Sequence, residues 1–233
     1  MSLTSDLTAI KDKLKSTQTT LGCTVKSKGV EDASTTNSIN TSVEDVKKIV
    51  WKCPSTGIKF NNGLTSFDTT ILDISEVTNM ESMFSSCKSL TSLDLTGWDT
   101  SKVTNMSQMF SNCSGLTSID LSNFDTSNVT NMSHMLNNCT SLTSLDLSNF
   151  NTSKVTDMKY MFYGCKSLTS LNVSGWDISK VTSYYSMFPI VLNSQLKLIL
   201  GEVTQTQYDW WLARLRQANI KDKVTIEYTL KTE

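Results

Sequence analysis

Apolar residues return along this chain with a period of 26. Leu64, Leu90, Leu116, Leu142 and Leu168 are spaced by that interval. So are Val77, Val103, Val129, Val155 and Val181, and Met83, Met109, Met135, Met161 and Met187. A constant period of about 20–50 residues marks a solenoid-type repeat, whose units bury against their neighbours an apolar face that none can bury alone.

Within one unit, "LTSLDLTGWDTSKVTNMSQMFSNCSG" (90–115), the pattern divides into three. "LTSLDL" alternates apolar and polar residues and predicts a strand with Leu93 and Leu95 inward and Ser92, Asp94 and Thr96 outward. "TGWDTSKV" reads as a loop in which Trp98 plugs the core and Asp99 accepts backbone N–H groups in an Asx-type turn. In "TNMSQMFSNC", Met106, Met109, Phe110 and Cys113 recur at offsets of three and four. That spacing predicts a short helix with one inward face, capped by Thr104 or Asn105.

The repeat fades at both ends, as capping units must. The first unit has Phe67 and Leu72 where later ones have Leu93 and Trp98, and Pro189 breaks the fifth, leaving Val191 at the Cys position. Four regions follow. Residues 1–49 form an N-terminal helical attachment or oligomerisation segment. Residues 50–63 form a cap, in which "IVWKCPSTGIKFNNG" suggests a strand pair. Residues 64–193 are the repeats. Residues 194–233 form a strand-helix-strand cap, its helix started by Thr204 or Thr206. At the start of the chain Leu3, Leu7, Ile10 and Leu14, spaced 4, 3, 4, make a two-heptad seam too short to stand alone. It needs either the same helix of other subunits or a surface of this chain. A polar linker follows, and "SVEDVKKIV" predicts a second short helix.

The motif Leu-x-x-Leu-x-Leu with one strand and one short helix per unit resembles a leucine-rich repeat. The 26-mer itself, with its copies over roughly 64–190, is similar to the BspA-type repeats of bacterial surface proteins. That resemblance implies an α/β solenoid of about five coils, with parallel strands on a concave face, and a role in binding rather than catalysis. The family occurs in surface proteins of mucosal bacteria and their parasites, and similar repeats occur in phage tail proteins.

Composition narrows the function classes. The net charge is −1 and only 18% of residues are charged, which disfavours nucleic acid as a partner. No apolar run approaches the ~18 residues of a membrane span, and the first residues lack the apolar stretch of a secretion leader. The only histidine is His134, at a helix position expected to face solvent. No G-x-S-x-G, Gly-rich phosphate loop or H-E-x-x-H motif is present, and no cofactor is implied.

Several columns could carry chemistry. Cys87, Cys113, Cys139 and Cys165 share one repeat position. Without close C-x₂-C spacing, they read as small buried thiols rather than as metal ligands or disulfides. Trp98, Phe124, Phe150 and Trp176 read as inward plugs, or as a sugar-stacking platform if exposed. Tyr160, Tyr163, Tyr184 and Tyr185 break the repeat and either form an added recognition site or pack beneath the cap. The candidate ligand-binding residues lie in the outward strand columns: Ser92, Asp94 and Thr96; Ser118, Asp120 and Ser122; Ser144, Asp146 and Ser148; and Asn172. Ser66, Asp68 and Thr70 occupy the same columns in the first unit. Carboxylates stacked about 5 Å apart repel, which a cation, a basic partner or sugar hydroxyls would relieve. The alternative is a solvated ladder carried along by duplication.

These features lead to an expectation of non-catalytic recognition of a cell-surface protein or glycan. One setting is a phage tail-tip or fibre component, located in the virion and joined to other virion proteins, or to copies of itself, through Leu3, Leu7, Ile10 and Leu14. The alternatives are a domain of a bacterial cell-surface adhesin and a structural spacer without ligand.

Overall fold

The structure, a computed structural model, describes residues 24–27, 49–52, 59–60, 64–65, 72–189 and 192–231. Among these residues it is a mixed α/β fold with two sheets. Strands β1 (Thr24–Ser27), β2 (Ile49–Lys52) and β3 (Leu72–Asp73) form one, in the order β1-β2-β3. Strands β4 (Ser144–Asp146), β5 (Ser170–Asn172), β6 (Leu196–Val203) and β7 (Val224–Leu230) form the other, in the order β4-β5-β6-β7, with every pair parallel. Helix α1 (Gln205–Gln217) and a 3-10 turn at Lys221–Lys223 connect β6 to β7.

The 26-residue period is a hydrogen-bond period. Thr104 donates its backbone N–H to the Thr78 carbonyl at 2.8 Å, Thr130 to Thr104 and Thr156 to Thr130 at 2.9 Å, and Thr182 to Thr156 at 3.0 Å. Parallel bridges join Asn79 to Asn105, Asn105 to Asn131, Asn131 to Asp157, and Asp157 to Ser183. Each unit thus gives its main-chain groups to the next in constant register, and the apolar columns align as a result.

The expected helix in each unit is absent, and a ladder of β-turns stands in its place. In the second unit Met109 N–H bonds to Met106 O, Ser111 N–H to Gln108 O and Cys113 N–H to Phe110 O, all i+3 contacts. Gln108 (φ 58°) and Asn112 (φ 61°) sit in the left-handed region, as the third residue of a type II turn requires. The alternate N–H groups of Met106, Gln108, Phe110 and Asn112 cross to Asn131, Ser133, Met135 and Asn137 of the next unit, at 2.7–3.0 Å. A helix would have spent the Phe110 and Asn112 donors inside its own unit. The turn ladder satisfies half locally and half across, while Met106, Met109, Phe110 and Cys113 still face inward, fully buried.

Two further expectations change. The segments 91–95 and 117–121 are not ladder strands. Neighbouring units bond there backbone to backbone through Thr117 N–H to Thr91 O (3.2 Å) and Thr143 N–H to Thr117 O (3.4 Å). Regular pairing begins at β4 and lengthens toward the eight-residue β6, which lies between β5 and β7. At the other end the strand pair is not contained within 50–63. Strand β2 pairs antiparallel with β1, inside the stretch read as a linker, and parallel with β3. Ile49 and Val50, read as the end of a second helix, begin β2. The remainder of that helix, the seam Leu3, Leu7, Ile10 and Leu14, and Ser66, Asp68, Thr70, Cys23 and Cys53 lie outside the described residues.

The core is one continuous set of columns running from Phe60 to Ile220. The Val, Met, Phe and Cys columns are buried, and Trp98, Phe124, Phe150 and Trp176 are inward plugs, each exposed by 4% or less. At the C-terminal end α1 begins at Thr204, whose hydroxyl accepts Gln207 N–H while the Gln207 side chain accepts Thr204 N–H, a capping box. Trp211 and Leu215 of this helix close the core. Trp211 packs on Trp176 and Phe188 with ring centroids 6.1 Å apart in both pairs.

Among the described residues few polar side chains are buried, and a threonine set repeats through three units. Thr100, Thr126 and Thr152 are each 1% exposed. Thr100 Oγ1 accepts Asp125 N–H at 2.8 Å and donates to Asp125 O at 3.0 Å. Thr126 donates to Asn151 O and Thr152 to Asp177 O. In the fifth unit the column changes to Ile178, where no further copy of the loop follows. Thr100→Val keeps the volume and strips both bonds, leaving a buried N–H and C=O unpaired. We expect it to cost about 1–3 kcal/mol in urea unfolding, whereas Ile178→Val stays below about 1.5 kcal/mol. Equal effects at the two positions would contradict the role assigned to this column.

Candidate functional site: the polar strand face

The candidate residues sit where the alternation places them. Ser92, Asp94, Thr96, Ser118, Asp120, Ser122, Ser144, Asp146 and Ser148 are exposed, and Asn172 is half-buried between Ser170 and Ser174. Their alignment is explicit at the C-terminal side, where Ser144 pairs with Ser170 and then Lys197, and Asp146 with Asn172 and then Ile199. Nearer the N-terminus the columns are held by side chains as well as main chain. Asn123 donates to Leu95 O at 2.9 Å, and Asn149 to Leu121 O at 3.0 Å. The face ends at an ion pair between Lys197 and Glu227, 2.8 Å apart and about half exposed.

The carboxylates are not the strained, mutually repelling row that stacking alone suggests. Asp94 Oδ1 accepts Thr96 N–H, Asp120 Oδ1 accepts Ser122 N–H and Asp146 Oδ1 accepts Ser148 N–H, each at 2.9 Å. Asn172 makes the same turn with Ser174, at 3.1 Å. The backbone N–H and then the hydroxyl two residues on hold Asp94 and Asp120 below the usual carboxylate range. At Asp146 the Ser148 hydroxyl leads, followed by its N–H. The charge of Asp94 pushes Asp120 the other way and is the smallest contribution. Local hydrogen bonds therefore win over repulsion between units, and no counter-ion is needed to keep the row ionised.

Two more columns do the same work. Asp99, Asp125, Asn151 and Asp177 accept the N–H two residues on, as expected of this loop, and Asp73 belongs to the same set. Asn79, Asn105, Asn131 and Asp157 form a third. Asn105 therefore turns the chain instead of capping a helix. The sequence signal for the first two columns was an Asp or Asn two residues before a Ser or Thr; in the third, Glu81 and Lys159 stand where other units have Ser107 and Ser133.

The cysteines are buried thiols. Cys113, Cys139 and Cys165 donate Sγ–H to Phe84 O, Phe110 O and Leu136 O, at 3.0, 3.2 and 3.1 Å. Burial pushes the Cys113 and Cys165 thiols up to about 12 and raises Cys87 and Cys139 as well.

The tyrosines fall into two groups, of which one packs against the cap. Tyr160 stacks on His134 at 4.7 Å and meets Tyr163 and Tyr185 edge-on at 5.5 and 5.4 Å, on the turn-ladder side. Tyr185 is 60% exposed. Tyr184 packs instead against Trp210 of α1. His134 is half-buried under Tyr160 rather than facing solvent. Burial first, and Lys159 next, lower its proton affinity. Among the described residues no group of three or more His, Cys, Asp or Glu is placed to hold a metal ion, and no helix is long and apolar enough to cross a membrane.

A parallel-sheeted α/β chain, cross-bonded at a fixed period and carrying rows of like side chains, is a repeat protein. The family described as "Mycoplasma protein of unknown function, DUF285" matches residues 27–119 and 78–198, and the chain belongs to it. Nothing among curated proteins or solved structures matches the chain.

The raised thiols predict that Cys87, Cys113, Cys139 and Cys165 resist iodoacetamide at pH 8 in the folded protein and react fully in denaturant. Mass spectrometry of a Cys23→Ser, Cys53→Ser variant isolates the four. Stoichiometric alkylation under native conditions would place them at the surface.

Proposed function

We propose that the chain is a solenoid of about five 26-residue coils of the BspA type, whose strand face recognises a cell-surface protein or glycan without catalysis. The observation that carries this reading is the strand face itself, with its three exposed polar columns. Its acids are fixed by bonds to the backbone two residues on, so little side-chain freedom is lost when a partner docks. Ionised carboxylates flanked by hydroxyls, repeated at the spacing of the units, suit a partner that repeats its donors. Sugar hydroxyls and rows of cationic side chains are two such partners. The flanking Ser and Thr hydroxyls add donors and acceptors at the same interval.

Two settings fit such a surface. A phage tail-tip or fibre protein would use Leu3, Leu7, Ile10 and Leu14 for attachment to other virion proteins or to its own copies. A bacterial surface adhesin would carry the repeats as one domain. The Mycoplasma description of the family favours the cellular setting.

The test is a charge-removing triple variant, Asp94→Asn, Asp120→Asn and Asp146→Asn. Asn172 makes the same turn in its own unit, so the fold should tolerate the change. Binding of the purified chain to whole bacterial and epithelial cells should fall about tenfold, roughly the 1.4 kcal/mol of one lost charged contact, with the thermal midpoint nearly unmoved. Undiminished binding by a folded triple variant would move recognition off this face.

A further inference from the structure

The sheet that carries the polar face ends at β7, whose single strand neighbour among the described residues is β6. Lys231 N–H bonds to Val203 O at 3.0 Å. Backbone groups alternate in direction along a strand, so Thr225, Glu227 and Thr229 also turn theirs toward β6, while Ile226, Tyr228 and Leu230 turn theirs outward. The strand is exposed from Glu227 to Leu230. Of the three exposed large apolar side chains among the described residues, two lie here: Tyr228 at 40% and Leu230 at 44%. Proteins blunt such an edge with proline, a bulge or a covering segment. β7 contains no proline, and the register shift of this strand pair lies in β6, between Ile199 and Gly201.

Charge can also blunt an edge, but the charges of β7 are self-complementary. Glu227 and Lys231 stand four residues apart, on the face where Glu227 pairs with Lys197 at 2.8 Å. Two copies of the strand, set antiparallel about a twofold axis at Thr229, bring Glu227 of each opposite Lys231 of the other. The same register sets Tyr228 opposite Leu230 twice, on the α1 side, where Tyr208 stacks on Tyr228 at 4.2 Å. These two residues also carry the outward N–H and C=O groups, so each such pair exchanges two backbone hydrogen bonds. An axis at Glu227 would face the two carboxylates instead. Pairing Glu227 with Lys223 would run the strand into the 3-10 turn, where Lys223 Nζ is already bonded to Leu192 O at 3.0 Å. We propose that β7 is a dimerisation edge, to which a second copy of this chain adds its own β7, antiparallel about Thr229. One sheet then runs through both copies in the order β4-β5-β6-β7-β7-β6-β5-β4. Opposite residues in a sheet share a face, so the polar strand faces of the two copies lie side by side. Two-site recognition by that doubled face rests on the function proposed above, whereas the dimer does not. The overlap of 227–231 is short, so association is weak and concentration-dependent.

Sedimentation velocity of the full-length protein, from micromolar to about 1 mM, should show a reversible monomer–dimer equilibrium. Glu227→Lys and Lys231→Glu each turn the cross-strand attractions into repulsions and should weaken the dimer about tenfold or more. Mixed in equal amounts, the two variants restore every opposite-charge pair in a heterodimer, so the mixture should approach the wild type. Amide hydrogen exchange followed by NMR reads the wild type without any variant. The Tyr228 and Leu230 amides should gain protection as concentration rises, while those of Glu227 and Thr229 are protected throughout. A monomer at every concentration overturns the proposal. So does a dimer whose Tyr228 and Leu230 amides stay unprotected, or a mixture of the charge variants that associates no better than either alone. If a variant fails to fold, the exchange experiment decides. None of these readouts involves cell binding, so loss of the dimer and loss of recognition by the Asp94, Asp120 and Asp146 row are separate outcomes.

Discussion

The interaction on which the rest depends is a backbone hydrogen bond that leaves one 26-residue unit and ends on the next. Thr104 to Thr78, Met106 to Asn131 and Phe110 to Met135 are examples. Because these bonds run between units at fixed register, any residue type repeated every 26 positions becomes a physical column. The apolar columns fuse into one core, and the polar ones become rows on the surface. A helix over Met106–Cys113 would close the Phe110 and Asn112 donors on itself and take them out of the bonding between units.

That choice has a local cost. The turn ladder needs left-handed backbone at Ser82, Ser86, Gln108, Asn112, His134, Asn138, Tyr160 and Ser186, a region that costs L-residues about 1–2 kcal/mol each. Gly164 takes the same column at φ 79°, and its Cα faces Asn138 so closely that a Cβ would lie 2.1 Å from Asn138 Oδ1. The bonds between units, the buried Thr100, Thr126 and Thr152, and the fully buried Met and Phe columns offset that strain together. None would suffice in a lone unit, which is why the ends are sealed by β1–β3 and by α1 with β7.

The apolar architecture was legible because a period of 26 is visible in the residues themselves. The inward Leu, Val, Met, Cys and aromatic columns, the cap helix with its start at Thr204, and the strands at Leu196 and Val224 all follow from pattern. The turn ladder did not follow, because Met106, Met109 and Phe110 at offsets of three and four satisfy both a helix and a chain of β-turns. The discriminating clue was the polar partner column of Asn112, Asn138 and Gly164, types that tolerate positive φ. The outward acids were located correctly, but their electrostatics were not. Spacing between units is apparent from the period, whereas the hydroxyl and N–H two residues on are apparent only once the chain turns there. The stacking of Arg214 on Tyr184 was missed, since Tyr184 comes from a distant segment of the chain.

Excision of residues 116–141 tests the account most directly. It joins Gly115 to Leu142 and removes one whole period. The account predicts a shorter protein that still unfolds cooperatively in urea and keeps its far-ultraviolet circular dichroism per residue. Excision of 25 residues, 116–140, should shift every column by one position and abolish that transition. A 26-residue excision that unfolds the protein, or a 25-residue excision tolerated as well as the 26-residue one, would contradict the claim that register between units holds this structure together.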